Sequence, residues 1–236
     1  MKRFALIGKR LGHSWSQQWF SELFSRMGLE DHSYTLHEMA TLDGLREWIE
    51  DEHINGFNVT IPYKQTIIPL LDELSPEAEA IGAVNCVCVR DGRLVGHNTD
   101  APAFRETLCE CGVQNVECAV VLGTGGAAHA VGYALDQLGI EHIFVSRNQL
   151  PSFHQSHPNF QLLINATPVG MWPNVDASPL PPDFDFLNYN IKLVYDLIYN
   201  PSPTLLMQRA AQSGVKCRDG LAMLHRQAEL SWKLWQ

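Results

Sequence analysis

A lysine and a carboxylate stand in this chain where an open α/β sheet does chemistry. Lys64 closes the segment Asn58-Val59-Thr60-Ile61-Pro62-Tyr63-Lys64, in which an apolar run turns polar and a helix begins. Ligands of open α/β sheets bind outside the carboxyl ends of the strands. A helix N-terminus lowers the proton affinity of a neighbouring lysine. A lysine so placed suits a group that exchanges a proton with a substrate hydroxyl. Asp100 closes a second segment, Gly96-His97-Asn98-Thr99-Asp100, where a strand gives way to a helix. The two together form a candidate acid–base pair. Each also has a plain reading: Lys64 as a surface lysine after a turn, Asp100 as a helix cap. Gly82-Ala83-Val84-Asn85 and His13-Ser14-Trp15-Ser16 are further small polar clusters. Serines before a helix are usually caps.

The second chemical feature is a glycine turn. Val120–Leu122 is a β-branched and apolar run, followed by Gly123-Thr124-Gly125-Gly126-Ala127-Ala128, a helical pattern to Ile140, and a second apolar run Ile143–Val145. This is half of a nucleotide-binding βαβ unit. Gly123 permits the tight turn, Gly125 lets the backbone approach a pyrophosphate, and Ala128 is the small residue where helix meets strand. The helix starting near Gly126 points its free N–H groups at the phosphates. After the second strand an acidic residue normally holds the ribose 2′-hydroxyl of NAD. Here the tip is Ser146-Arg147-Asn148, with no Asp or Glu beside it. A guanidinium suits a 2′-phosphate, so the expected cofactor is NADP.

The elements that must position these groups follow from pattern. In the first hundred residues, strands are expected at Phe4–Gly8, Ser33–His37 and Gly56–Val59, with a hairpin Asn85–Val89/Leu94–His97 over Asp91-Gly92. Helices are expected at Trp15–Met27, Leu42–Glu52, Tyr63–Leu71 and Pro76–Ile81. Ala101–Cys111 reads as a linking helix. Strands Gln161–Ile164 and Lys192–Asp196 and helices Pro203–Ser213 and Leu221–Trp235 complete the chain. The last helix is read as amphipathic through Leu221, Leu224, Ala228 and Trp232. Gln149–Asn159, with Pro151 and Pro158, reads as a shortened crossover. The expected fold class is two-domain α/β. A mixed, mostly parallel substrate domain spans 1–100, a Rossmann-like dinucleotide domain spans 101–220, and 221–236 returns to the first domain.

Composition narrows the partners. The chain has 236 residues and a formal net charge of −9. That disfavours nucleic acid and anionic membranes, which need a basic face. The cysteines Cys86, Cys88, Cys109, Cys111, Cys118 and Cys217 show no metal-ligand spacing, so no metal is expected. With no signal-peptide pattern or spanning apolar stretch, the expectation is a cytoplasmic protein with free thiols, monomer or homodimer, acting on a small molecule.

Taken together, these segments resemble the shikimate dehydrogenase family. The matching segments are HSWS (13–16), NVTIPYK (58–64), GAVN (82–85), NTD (98–100), GTGGAA (123–128), INATPVGM (164–171), YDLIYNP (195–201) and DGLAMLHRQA (219–228). They occur in the family's order across nearly the whole chain. The resemblance implies that Ser14 and Ser16 hold the substrate carboxylate. Thr60, Asn85, Tyr199 and Gln227 would bind its hydroxyls, and Lys64 and Asp100 would be the catalytic pair. It implies that Gly123, Thr124, Gly125, Gly126, Ala127, Ser146, Arg147 and Asn148 hold NADP. Asn165, Thr167, Leu197, Gly220 and Met223 would line its nicotinamide half. The implied reaction interconverts 3-dehydroshikimate and shikimate, within aromatic amino acid and chorismate biosynthesis. Two other readings are a quinate/shikimate dehydrogenase using NAD, and a non-catalytic ligand sensor. Arg147 argues against the first, and retention of both Lys64 and Asp100 against the second. The chain departs from the family at Ala101, where glycine is usual, in lacking a second basic residue after Arg147, and in its short crossover.

Overall fold

The computed structural model describes residues 2–12, 14–149 and 159–236. His13 and most of the expected 149–159 crossover therefore lie outside the described residues. The chain divides into two compact units, Met1–Thr99 with Ala228–Gln236, and Asp100–Gln227.

The first unit carries a six-stranded mixed sheet in the order β2-β1-β3-β5-β6-β4. The strands are β1 (Lys2–Gly8), β2 (His32–Glu38), β3 (Ile54–Val59), β4 (Glu73–Leu74), β5 (Cys86–Arg90) and β6 (Arg93–His97). β2, β1 and β3 run parallel, and β5 and β6 form an antiparallel hairpin paired from Cys86↔His97 to Arg90↔Arg93. β1 is apolar from Phe4 to Ile7 because both of its faces are covered. Ala5 and Ile7 join a cluster with Leu45, Ile49, Tyr63 and Ile67. Phe4 and Leu6 join another with Phe20, Phe24, Trp232 and Trp235. The helices are α1 (Trp15–Arg26), α2 (Leu45–Asp51), α3 (Tyr63–Thr66) and α4 (Pro76–Ile81). The expected helix 63–71 is broken. Pro69 has no N–H to continue an α-helical ladder, so α3 stops and a 3₁₀ turn, Ile68–Leu70, follows. α2 likewise starts three residues later than its pattern suggests, because Gly44 turns left-handed (φ 74°) just before it.

The second unit is a five-stranded parallel sheet, β11-β10-β9-β7-β8. Its strands are β7 (Cys118–Leu122), β8 (Glu141–Val145), β9 (Leu162–Asn165), β10 (Leu193–Asp196) and β11 (Lys216–Arg218). Its helices are α5 (Asp100–Glu110), α6 (Gly126–Gln137), α7 (Leu205–Gln212) and the start of α8 (Leu221–Trp235). Val120, Leu122, Leu163 and Val194 pack with Phe184, Phe186, Leu206 and Ala210 on one face of this sheet. β4 and β11 are absent from the pattern reading because two or three residues show no alternation.

The compact units divide at points other than the expected 1–100, 101–220 and 221–236. Asp100 is the first residue of α5 and belongs to the second unit. The return to the first unit begins at Ala228, inside α8, and not at 221. Within α8 the buried stripe is Met223, Ala228, Ser231, Trp232 and Trp235, whereas Leu221 is 40 % exposed. Among the described residues no helix is long and apolar enough to cross a membrane.

Candidate active site

In the first unit Asn85, one of the expected substrate residues, sits in a buried polar network. Asn58 Nδ2 donates to the Asn85 carbonyl at 3.1 Å and to Ser231 Oγ at 2.8 Å. Tyr34 donates its hydroxyl to Asn58 Oδ1 at 2.9 Å. The side chain of Asn85 accepts from the Thr99 N–H at 2.7 Å and donates to Thr99 Oγ1 at 2.9 Å. Asn58, Asn85, Thr99 and Ser231 are all buried. A buried amide left without partners costs several hydrogen bonds' worth of desolvation, so this network fixes the orientation of Asn85. It also fixes Thr99, the residue directly before Asp100. Asn58 and Thr99 lie in candidate segments noted from sequence but with no role expected of them, and Tyr34 and Ser231 lie in none of those segments. The available signal was the lone Asn58 in an otherwise apolar strand end.

Lys64 is half-buried and is the second residue of α3. Its carbonyl accepts from the Val84 N–H at 2.7 Å, which ties the turn carrying Lys64 to the segment carrying Asn85. α3 has only four residues, so the helix-dipole argument for Lys64 loses its basis. Thr60 follows β3 and donates its N–H to the Ile7 carbonyl at 3.0 Å. Ser14 is the N-cap of α1, and its hydroxyl accepts from the Ser16 N–H at 3.2 Å. Ser16 is buried. The loop leading to them is anchored by Glu38, whose Oε1 accepts from the Leu11 N–H at 2.6 Å. These backbone hydrogen bonds hold the Glu38 carboxyl below its usual range.

In the second unit the glycine turn has the geometry expected for a dinucleotide. Gly123 has φ 115°, in the region favouring glycine, and an added Cβ would lie 3.2 Å from the Ala166 carbonyl and Thr167 Cγ2. Gly125 is the N-cap of α6 and provides no capping side chain. A Cβ on Gly125 would meet no protein atom within 4 Å. The turn thus leaves open space before the first N–H groups of a twelve-residue helix, which suits a pyrophosphate. Ala128 is fully buried. Thr124 is exposed, and Gly126 and Ala127 are half-buried.

At the tip of β8, Arg147 and Asn148 are exposed in a turn. Gln149 Oε1 accepts from the Ser146 N–H at 3.0 Å and from its hydroxyl at 2.6 Å. These bonds, with the Gln149 N–H donating to the Ser146 carbonyl at 3.0 Å, engage Ser146 internally across the turn. At the ends of β9 and β10, Asn165 Oδ1 accepts from the Thr167 hydroxyl at 2.7 Å, and the Leu197 N–H donates to the Asn165 carbonyl at 3.0 Å. Gly220 lies against the Leu197 backbone so closely that a Cβ would stand 2.0 Å from its carbonyl oxygen. Met223 is buried. Tyr199 is 37 % exposed, and burial of part of its ring pushes its hydroxyl's pKa up. Gln227 donates Nε2 to the Leu224 carbonyl of its own helix at 2.9 Å. Asp100 and Ala101 are buried at the start of α5, so Asp100 is a first-turn residue, not a cap. The departure at Ala101 is accommodated within a buried helix start.

Residues 6–87 match the model of the shikimate dehydrogenase substrate binding domain. A shikimate dehydrogenase (NADP(+)) of Caldicellulosiruptor saccharolyticus is 35 % identical over 262 aligned positions, covering 100 % of this chain and 92 % of the relative. The chain belongs to the shikimate dehydrogenase family. That alignment is longer than the 236 residues of the chain, so the relative carries segments this family member lacks. Among solved structures, shikimate dehydrogenase 1 of Peptoclostridium difficile is similar with TM-score 0.88 and 36 % identity, covering 100 % of this chain and 92 % of the other. The shikimate 5-dehydrogenase of Thermus thermophilus, in complex with NADP(H) and shikimate, is similar with TM-score 0.84 and 34 % identity, covering 100 % and 94 %. The two-domain α/β class expected from sequence is thus the class of the family.

Proposed function

We propose that this chain is an NADP-dependent shikimate dehydrogenase, interconverting 3-dehydroshikimate and shikimate. The observation that carries this reading is the full-length likeness to enzymes of that activity, including one solved with NADP(H) and shikimate. The open space at Gly125 and the bare N-terminus of α6 fit a dinucleotide pyrophosphate. Gly123, Thr124, Gly125, Gly126 and Ala127 would hold it. Ser146, Arg147 and Asn148 would take the adenosine end, with Arg147 on the 2′-phosphate. Asn165, Thr167, Leu197, Gly220 and Met223 would face the nicotinamide.

When bound, the reduced dinucleotide supplies a hydride to the ring ketone carbon of 3-dehydroshikimate. The remaining work belongs to the chain's own side chains. Lys64 donates a proton from Nζ to the ketone oxygen as charge develops there, and takes it back in the reverse direction. Asp100 provides the carboxylate of the pair and accepts from the neighbouring substrate hydroxyl. Ser14 and Ser16 bind the substrate carboxylate through their hydroxyls, and Thr60, Asn85, Tyr199 and Gln227 bind its hydroxyls. Holding these groups in place supplies much of the acceleration by making the encounter effectively unimolecular. The small-molecule substrate and the chain's six reduced thiols suit a cytoplasmic biosynthetic enzyme.

The test is product identification. Purified protein incubated with 3-dehydroshikimate and NADPH should yield shikimate by NMR. Absence of any product at high enzyme concentration would overturn the assignment.

A further inference from the structure

Asp196 ends β10 with none of its surface exposed, and its carboxylate collects donors from three separate segments. Oδ1 accepts from Asn165 Nδ2 at 3.0 Å and from the Ile198 N–H at 3.1 Å. Oδ2 accepts from the Thr204 hydroxyl at 2.7 Å. Thr204 in turn caps α7 by accepting from the Met207 N–H. Among the described residues no lysine or arginine pairs with Asp196. An ionised carboxylate so buried is costly, and packing alone would favour an apolar residue here. What a carboxylate offers is acceptor-only character. Because Oδ1 cannot donate, the Asn165 amide must turn its NH₂ toward Asp196 and its Oδ1 away. That Oδ1 then accepts from both the N–H (3.1 Å) and the hydroxyl (2.7 Å) of Thr167. Thr167 also accepts from the Val169 N–H at 3.2 Å, which closes the turn after β9.

We propose that Asp196 is a positioning residue for the cofactor. It dictates which way the Asn165 amide faces, and so sets Thr167 and the Leu197–Ile198 backbone as one rigid edge. The inference rests on the reading above, in which these groups face the nicotinamide. Asp196 itself touches neither cofactor nor substrate. A purely structural role would lower thermal stability and leave the affinity of the folded protein for NADPH unchanged.

The experiment measures the NADPH dissociation constant by fluorescence titration, beside thermal melts and the KM for shikimate. The proteins are wild type, Asp196→Ala, Asp196→Asn and Thr204→Val. Loss of the charged acceptor in Asp196→Ala should weaken NADPH binding by about tenfold or more, with the shikimate KM changed less than about twofold. Asp196→Asn keeps an oxygen for Asn165 and Ile198 and turns its NH₂ toward the Thr204 oxygen. It should therefore stay within about threefold of wild type. Thr204→Val removes the bond to Oδ2 and the cap on the Met207 N–H, and leaves Oδ1 on Asn165 and Ile198; it should lower the melting temperature while leaving NADPH affinity within about threefold. If Asp196→Ala does not fold, Asp196→Ser takes its place with the same expectation. Wild-type NADPH affinity in the Ala or Ser variant would overturn the inference, as would an Asn variant as weak as Ala. Wild-type protein that binds no NADPH at all would instead overturn the cofactor reading on which the inference stands.

Discussion

Gly125→Ala separates a glycine required by the fold from one required by a ligand. Its φ of −89° and ψ of −179° are open to any residue, and a Cβ there meets no protein atom within 4 Å. Alanine is a poorer N-cap than glycine by some tenths of a kcal/mol, and stiffening the unfolded chain returns about 0.4–1 kcal/mol. The net change in stability should lie within about 0.5 kcal/mol. The methyl group would nevertheless stand where a pyrophosphate approaches the first N–H groups of α6. Losing one charge-assisted hydrogen bond of about 1.5–3 kcal/mol should weaken NADPH binding roughly 10- to 100-fold. Gly123→Ala makes the contrast. It forces alanine to φ 115° against the Ala166 carbonyl at 3.2 Å, so it should cost about 1–3 kcal/mol of stability even without cofactor. Thermal melts of the apo proteins and NADPH titrations on the same samples give both quantities. A Gly125→Ala protein with unchanged stability and unchanged NADPH affinity would refute the placement of the pyrophosphate at this turn.

Other substitutions test the remaining assignments. Lys64→Ala should lower turnover by about 10²–10⁴-fold with the shikimate KM changed only a few-fold; more than a tenth of wild-type turnover would remove Lys64 as proton carrier. Arg147→Ala should lower the ratio of kcat/KM for NADP over NAD. Because Arg147 is exposed and Ser146 is engaged by Gln149, added salt should erode the wild-type ratio as well; an unchanged ratio in the variant would remove the basis for a 2′-phosphate contact. Burial raises the Asp196 carboxyl from an ordinary 3.8 to about 6, against the bonds from Thr204, Ile198 and Asn165. The folded state therefore binds this proton more tightly than the unfolded one. The contribution is fully present below about pH 4 and is lost as pH rises through about 6, by roughly 3 kcal/mol at 1.4 kcal/mol per unit. Urea unfolding of wild type and Asp196→Asn should show this pH-dependent difference between them, and parallel stability profiles would contradict it.

The sequence made the fold class legible because its signals were local and redundant. The run Phe4–Ile7 is apolar at every position, as a strand covered on both faces must be. The glycine turn carries its geometry in residue type, since φ 115° at Gly123 admits little else. What escaped were long-range partnerships. Nothing near Asn58 in sequence announces Ser231, which closes its amide from the far end of the chain. Nothing near Tyr195-Asp196 announces that the carboxylate will be buried against Asn165 and Thr204. The helix expected over 63–71 had the right periodicity, but Pro69 prevailed locally. The division between units inside α8 has no signal in the sequence, because a helix continues through it without any break in pattern. The pattern of polar residues at strand ends gave candidates, but their orientation depended on partners far away in the chain.

The central claim is tested most directly by absorbance at the reduced-nicotinamide band. Purified protein is supplied with shikimate and either NADP or NAD, and compared with Lys64→Ala. The account predicts a shikimate-dependent rise with NADP, a lower kcat/KM with NAD, and a rise at least about a hundredfold slower in the variant. No signal from the wild type with either cofactor, or equal rates from wild type and variant, would contradict it.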